Sequence, residues 1–333
     1  MTLFFSGDDI RLLATPNVCL AAAEHSLEAE TAGLTALPAR IDVDSPTGFL
    51  RTMPAVLGDV MGLKVMTLVR GAGTRYLVLL YATGDGSLRG VFDADELTRL
   101  RTATYTAVAA RLMVTSEPGC LAVVGTGFEA EGHLRALALL WPGVAVTVYS
   151  RDAERRDAFA VRLGDELGLD VRSCESPDEA VAPAHVVLLA TKSTQPVLDG
   201  QHVRDGAVVL SIGSTRPDLR ELDRATMARS GTVLVDDVEQ VRLESGDILA
   251  GLADGALEES HLVPVAQAAR DGSLLRRAPG RDLLTFKSVG TALQDLALAA
   301  AVLTAAEASG AGRELGELST LKPFARTMSP AAG

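Results

Sequence analysis

The chain has 333 residues, 47% of them hydrophobic, with 31 basic and 43 acidic side chains and a formal net charge of −12. That length holds two domains with full-sized cores, and the acidic balance excludes a bulk nucleic-acid binder, which needs basic surface. Cys19, Cys120 and Cys174 are widely spaced with no CxxC pair, so they read as reduced packing residues and not as a disulfide framework.

In chain order, Asp8 and Asp9 follow a short apolar start, which is not the pattern of a signal peptide. A helix is expected over 8–32, then β-rich pieces at 48–53, 63–68, 76–82 and 87–92. Thr83-Gly84-Asp85-Gly86 supplies hairpin-turn chemistry between the last two. A helix over 94–114 leads into the second region. There, strands are expected at 120–124, 144–149, 169–172, 185–190, 207–211 and 232–236, separated by amphipathic stretches of which 152–167 is the clearest. Short apolar strands with helical connections imply a parallel sheet covered on both faces. Residues 290–309 form an Ala/Leu helix expected to pack back on the first domain. The apolar run 296–306 is too short to cross a bilayer, and 330–333 reads as a frayed tail. No membrane contact and a cytoplasmic location are expected.

The strand at 120–124 runs into Gly125-x-Gly127-x-x-Ala130, with Leu134, Leu137 and Leu140 continuing at helical spacing. Glycine at 125 permits the tight turn, the bare backbone at 127 can approach a pyrophosphate, and a small residue at 130 lets helix and strand pack closely. The hexapeptide alone is weak; within strand, turn and helix it marks a dinucleotide site. The fold class is therefore α/β, with a doubly wound Rossmann-type domain at 115–306 and an α+β domain at 1–114 joined by segment 307–333. At the end of the second strand, Ser150-Arg151 stands where NAD enzymes commonly place an acidic residue on the ribose. Arg151, with Arg155 and Arg156 a turn on, can pair with a 2′-phosphate, so NADPH is favoured over NADH. The alternative is a set of solvated helix-start charges partly cancelled by Asp152 and Glu154.

Arg40, Lys64 and Arg101 each lie in or beside apolar segments of the first region. Buried cations are costly unless paired, and a substrate carboxylate would pair with them; surface charges or internal ion pairs are the alternative. His25, His133, His185, His202 and His261 lack metal-ligand spacing, so no metal is expected.

Six segments, in order along nearly the whole chain, resemble the ornithine cyclodeaminase/μ-crystallin family. They are Pro38-Ala-Arg40; Arg51-Thr-Met-Pro54 leading to Gly62-Leu-Lys64; Leu97-Thr-Arg-Leu-Arg-Thr-Ala103; Gly125-Thr-Gly-Phe-Glu-Ala130; Ile212-Gly-Ser-Thr-Arg-Pro217 with Arg220-Glu-Leu-Asp223; and Thr285-Phe-Lys-Ser-Val-Gly290 with Gln294-Asp295. The resemblance implies an NAD(P)-dependent enzyme of amino acids and their imines, and a homodimer built through the first domain. It implies that Arg40 and Arg101 hold the substrate carboxylate and that Lys64 hydrogen-bonds beside the reacting nitrogen. Cofactor contacts are expected from Gly125, Gly127, Phe128, Glu129, Ala130, Ser150, Arg151, Arg155, Thr191, Ser214, Lys287, Ser288 and Val289. Glu129 stands where relatives often carry glutamine, a carboxylate awkward beside a pyrophosphate and expected to point to solvent. Asp236-Asp237 resembles a post-strand acidic pair of the family, with loop capping as its plain reading, and Asp295 an ordering or salt-bridge residue.

Ser214 is a departure. Cyclodeaminases carry an aspartate in this loop, and a serine without an activating partner is no general base near neutral pH. The pattern looks like the reductase branch, and the expected activity is hydride transfer from NADPH or NADH to the protonated C=N of a cyclic ketimine such as pyrroline- or piperideine-2-carboxylate. The alternatives are an NAD-dependent dehydrogenase of alanine or N-substituted amino acids, then ornithine cyclodeamination, then a non-catalytic ligand-binding protein.

Overall fold

The computed structural model describes residues 2–318 and 322, so the expected tail at 330–333 lies outside the described residues. Two eight-stranded sheets organise the chain. The first is mostly antiparallel, in the order Arg313–Gly316, Thr2–Phe5, Leu88–Asp93, Gly73–Ala82, Val60–Val69, Gly48–Leu57, Thr35–Ala36, with Ile41–Ser45 also paired to Gly48–Leu57. Along Gly48–Leu57, Arg51, Met53, Ala55 and Leu57 are buried while Leu50, Thr52, Pro54 and Val56 are not, the period of two of a one-sided strand. The buried face packs against the helix Ala292–Ser309 and the start of Ala94–Met113, and the helix Pro16–Thr31 joins the same core by packing on those two helices.

The expected helix over 8–32 is two helices, Gly7–Leu13 and Pro16–Thr31. Pro16 has no N–H to donate and its ring blocks the preceding turn, while the Thr15 hydroxyl caps the new helix through Val18 N. Ala292–Ser309 is long and apolar enough to span a bilayer by length and composition, yet it is mostly buried inside the first core. The expected division at 306 is accordingly corrected: this helix belongs with the first sheet.

The second sheet is wholly parallel, in the order Val171–Ser173, Ala145–Tyr149, Cys120–Val124, Val186–Leu189, Val208–Ser211, Leu283–Lys287, Ser230–Val235, Leu262–Pro264. All six expected strands are present. Leu121 and Val123 enter one hydrophobic core and Ala122 and Val124 the other, so both faces are covered. The expectation missed Leu262–Pro264 and Leu283–Lys287. The latter wedges between the strands Val208–Ser211 and Ser230–Val235, a long-range pairing that no local period announces. The fold is a Rossmann-type domain plus a second domain. The strand order reverses beside Cys120–Val124, which is where doubly wound sheets open a crevice at their carboxyl ends.

Candidate active site

A cavity of about 1630 Å³ opens at those carboxyl ends and is walled on its other side by the buried face of the first sheet. Gly125 leaves its strand at φ +114°, and a Cβ there would lie 2.5 Å from the Ala190 carbonyl oxygen. Only glycine fits. Gly127 caps the helix Phe128–Leu140 without any side-chain hydrogen bond, and a Cβ there would meet nothing within 4 Å. The first-turn N–H groups are thus free to face a ligand across open space, the arrangement an anionic pyrophosphate needs. The residues present fit a dinucleotide.

Phe128, Ser150, Arg151, Arg155, Thr191, Ser288 and Val289 line the cavity, as do Gly125, Gly127 and Glu129. Arg155 lies 3.6 Å from Asp152, whose side chain caps its own helix, while Arg156 turns inward, 3.1 Å from Glu175. Ala130 is fully buried below the helix start, so it serves close packing and does not face the cavity.

Besides Ala130, three expectations are corrected. Ser214 is buried, donates its hydroxyl to the Leu219 carbonyl at 2.7 Å and does not line the cavity. Lys287 is likewise buried: its Nζ lies 3.1 Å from Ser211 Oγ and 3.4 Å from Asp247 Oδ2. It ends a central strand and offsets a buried carboxylate cluster, because Glu221 accepts from Thr191 N and Oγ1, Ser211 Oγ and Gly213 N, and Asp247 from the amides of Glu221 and Leu222. Glu129, its side chain 38% exposed, faces the cavity and not the outer surface. It lines the cavity with Oε2 buried and unpartnered, and burial raises its carboxyl above the ordinary value against the pull of Arg101, Lys64 and Arg99.

At the other end of the cavity the three first-domain cations meet. Lys64 projects from the inner face of Val60–Val69, its Nζ 3.2 Å from Asp295 Oδ1 and 4.9 Å from the Tyr76 ring centroid. Arg101 Nε donates to the same Oδ1 at 2.9 Å, and its Nη1 donates to Gln294 Oε1 at 2.5 Å. Burial, and Arg101 nearby, pull Lys64 down to about 8 against the attraction of Asp295. Arg40 reaches the nucleotide-binding domain. Its Nη2 donates to Gln240 Oε1 and the Gly290 carbonyl, both at 2.8 Å, and its Nε lies 2.6 Å from Glu244 without alignment for a hydrogen bond. Burial lowers it to about 10, so it remains a cation at neutral pH.

Other functional-site side chains were not singled out from sequence. Arg51 lines the cavity beside Met53, Met66 and Tyr76, paired twice to Asp42 at 2.7 and 2.6 Å. Its alternation with Met53 along one strand was the available signal. Gln240 and Glu244 carry none, since they meet Arg40 across 200 and 204 residues of chain. The cavity-facing part of the loop after Val208–Ser211, namely Ile212, Gly213, Thr215 and Arg216, has no carboxylate; Asp218 pairs with Arg216 at 2.8 Å and is exposed.

The family model for the ornithine cyclodeaminase/mu-crystallin family matches residues 3–310. The chain is 32% identical over 267 residues to the ketimine reductase mu-crystallin of Mus musculus, covering 78% of this chain and 81% of that protein. It is 31% identical over 264 residues to a Delta(1)-pyrroline-2-carboxylate reductase of Paracoccus denitrificans, covering 76% and 82%. The solved structure of the Thermococcus litoralis Delta(1)-pyrroline-2-carboxylate reductase with NADH and L-proline superposes with a TM-score of 0.87 at 26% identity, over 94% of this chain and 100% of that one. With a glycine cradle for a nicotinamide dinucleotide facing a cluster of buried cations, and with these matches along nearly its whole length, the chain belongs to the ornithine cyclodeaminase/mu-crystallin family.

Proposed function

We propose that this protein is a nicotinamide-dependent reductase of α-imino acids, with cyclic ketimines of the pyrroline-2-carboxylate and piperideine-2-carboxylate type as substrates. One observation carries the reading: Lys64 and Arg101 share a single carboxylate oxygen, Asp295 Oδ1, in a cavity that also holds the glycine cradle. Two cations on one anion leave a positive surplus for an anionic substrate. Arg40 and Arg101 bind its carboxylate, and the Lys64 ammonium donates a hydrogen bond to the imine nitrogen. A bound nicotinamide supplies the hydride to the C=N carbon. As the carbon accepts that pair, Lys64 passes a proton to nitrogen, leaving the amino acid and a neutral lysine that recovers its proton from water.

The likeness to ketimine reductase mu-crystallin and to Delta(1)-pyrroline-2-carboxylate reductases supports reduction. The oxidative reading is not favoured: the archaeal alanine dehydrogenase neighbour shares the fold at 24% identity. NADPH is the favoured coenzyme on the strength of Ser150 and Arg151, and the Thermococcus neighbour holds NADH, so both belong in the assay. The homodimer forms through the outer face of the first sheet, where Ile41, Val43, Leu50, Val69 and Leu77 are exposed together. The test is coenzyme oxidation against a panel of cyclic and linear imino acids, beside L-ornithine with NAD. Fast oxidation with cyclic ketimines and no proline from ornithine is expected. Proline and ammonia formed at an enzymatic rate would overturn the reading.

A further inference from the structure

The acidic pair after the strand Ser230–Val235 is not equivalent in its two members. Asp237 caps the next helix through Gln240 N at 2.8 Å. Asp236 is buried and caps nothing. Its Oδ2 accepts from Ser288 Oγ at 2.8 Å, Val289 N at 2.8 Å and Gly290 N at 2.6 Å, and its Oδ1 accepts from Gln294 Nε2 at 3.2 Å.

Both arms lead to the substrate cations. Gly290, held by its N–H, gives its carbonyl to Arg40 Nη2 at 2.8 Å. The same residue lies under Arg101, where a Cβ would come within 2.4 Å of Nη1. Gln294, oriented by donating to Asp236, presents Oε1 to Arg101 Nη1 at 2.5 Å. An amide has one accepting and one donating end, so the partner of one end decides what the other offers.

We infer that Asp236 is a positioning residue for substrate binding: one carboxylate in the nucleotide-binding domain sets the aim of both Arg40 and Arg101. The inference rests on the proposed reading of those arginines as the carboxylate clamp. Its chemistry is directional. In Asp236→Asn the remaining carbonyl can serve Val289 and Gly290, and the new NH2 then faces Gln294 Nε2. Gln294 must flip, which turns a donor toward the Arg101 guanidinium. Adding Gln294→Glu supplies an acceptor at both ends and restores the arrangement.

The measurements are steady-state kinetics with pyrroline-2-carboxylate, and dissociation constants for NADPH and for pyrrole-2-carboxylate, a planar carboxylate of the same ring size. Asp236→Asn should raise KM and the pyrrole-2-carboxylate Kd about 10-fold, with kcat and coenzyme Kd within about 2-fold. The double variant should recover most of that loss, which generic loosening of the fold would not allow. If Asp236→Asn does not fold, Gln294→Met tests the Arg101 arm alone and should raise KM about 3-fold or more at constant coenzyme Kd. An unchanged KM in a folded variant, parallel weakening of coenzyme, or no recovery in the double variant overturns the positioning role. A wild-type protein that neither turns over an imino acid nor binds pyrrole-2-carboxylate removes the underlying reading instead.

Discussion

On the proposed reading, Lys64 is the residue whose environment bears most directly on turnover. Its amine loses its proton near pH 8, because burial outweighs the attraction of Asp295. A lowered lysine pKa keeps the ammonium below about 8 and removes it above, so kcat/KM for imine reduction should fall as pH rises through about 8. Lys64→Met keeps approximate length and removes the donor. It should cost about 100-fold or more in kcat and abolish that alkaline limb, while coenzyme affinity stays unchanged. A folded variant with wild-type rates would mean the proton comes from elsewhere. On the proposed reading, Arg151 bears on coenzyme choice. It lines the cavity next to Ser150 and carries no hydrogen bond to another side chain among the described residues. Losing one charge-assisted contact costs about 1.5–3 kcal/mol, so Arg151→Ala should weaken NADPH by about 10-fold or more and leave NADH nearly untouched. Titration of both coenzymes decides it, and equal losses would refute the 2′-phosphate assignment.

At the scale of elements, the helix Pro16–Thr31 carries an acid out of place. Glu30 lies near Asp236 and Asp237, and burial and then these neighbours raise its carboxyl from 4.5 to about 8, with Ser26 Oγ donating at 3.3 Å. An acid whose folded pKa is raised lends stability below its unfolded value and loses it as pH climbs toward the folded one. Glu30→Gln keeps the Ser26 bond and escapes that loss. It should therefore leave stability unchanged near pH 4, and raise it by about 1–2 kcal/mol above pH 8. Denaturation at both pH values reads the difference, and an equal effect at the two would disprove the titration. The strand Leu283–Lys287 shows the same kind of context dependence. Lys287 is a counter-charge inside the sheet because its strand is central; at an edge the same lysine would reach water.

For the whole molecule, the two sheets divide the work. The parallel sheet presents backbone donors at its carboxyl ends, and the buried face of the antiparallel sheet supplies cations across the cavity. The opposite face of the antiparallel sheet is left apolar at Ile41, Val43, Leu50, Val69 and Leu77. Large exposed apolar patches mark interfaces. Sedimentation should give twice the 34.8 kDa mass of the chain. Val43→Asp with Leu77→Asp should shift the protein toward a monomer, and an unshifted mass in the double variant would place the interface elsewhere.

Local chemistry decides itself wherever neighbours in sequence are also the physical partners. The Gly125–Ala130 turn, the amphipathic helix after Asp152 and the six apolar strands needed nothing beyond their own residues, and all were legible. The family likeness likewise rested on short ordered segments and placed Arg40, Lys64 and Arg101 together at the cavity. What the sequence did not hold was direction. Serine, lysine and glutamate at 214, 287 and 129 read alike whether they face a ligand, a buried carboxylate or water. Their roles follow from partners such as Leu219, Ser211 and Asp247, fixed by strand order and packing. Asp236 is the sharpest case. It and Asp237 are adjacent and chemically identical, and only the return of the chain at 288–294 makes one a helix cap and the other the support of two arginines, because a carboxylate's function is set by the donors that tertiary structure delivers to it.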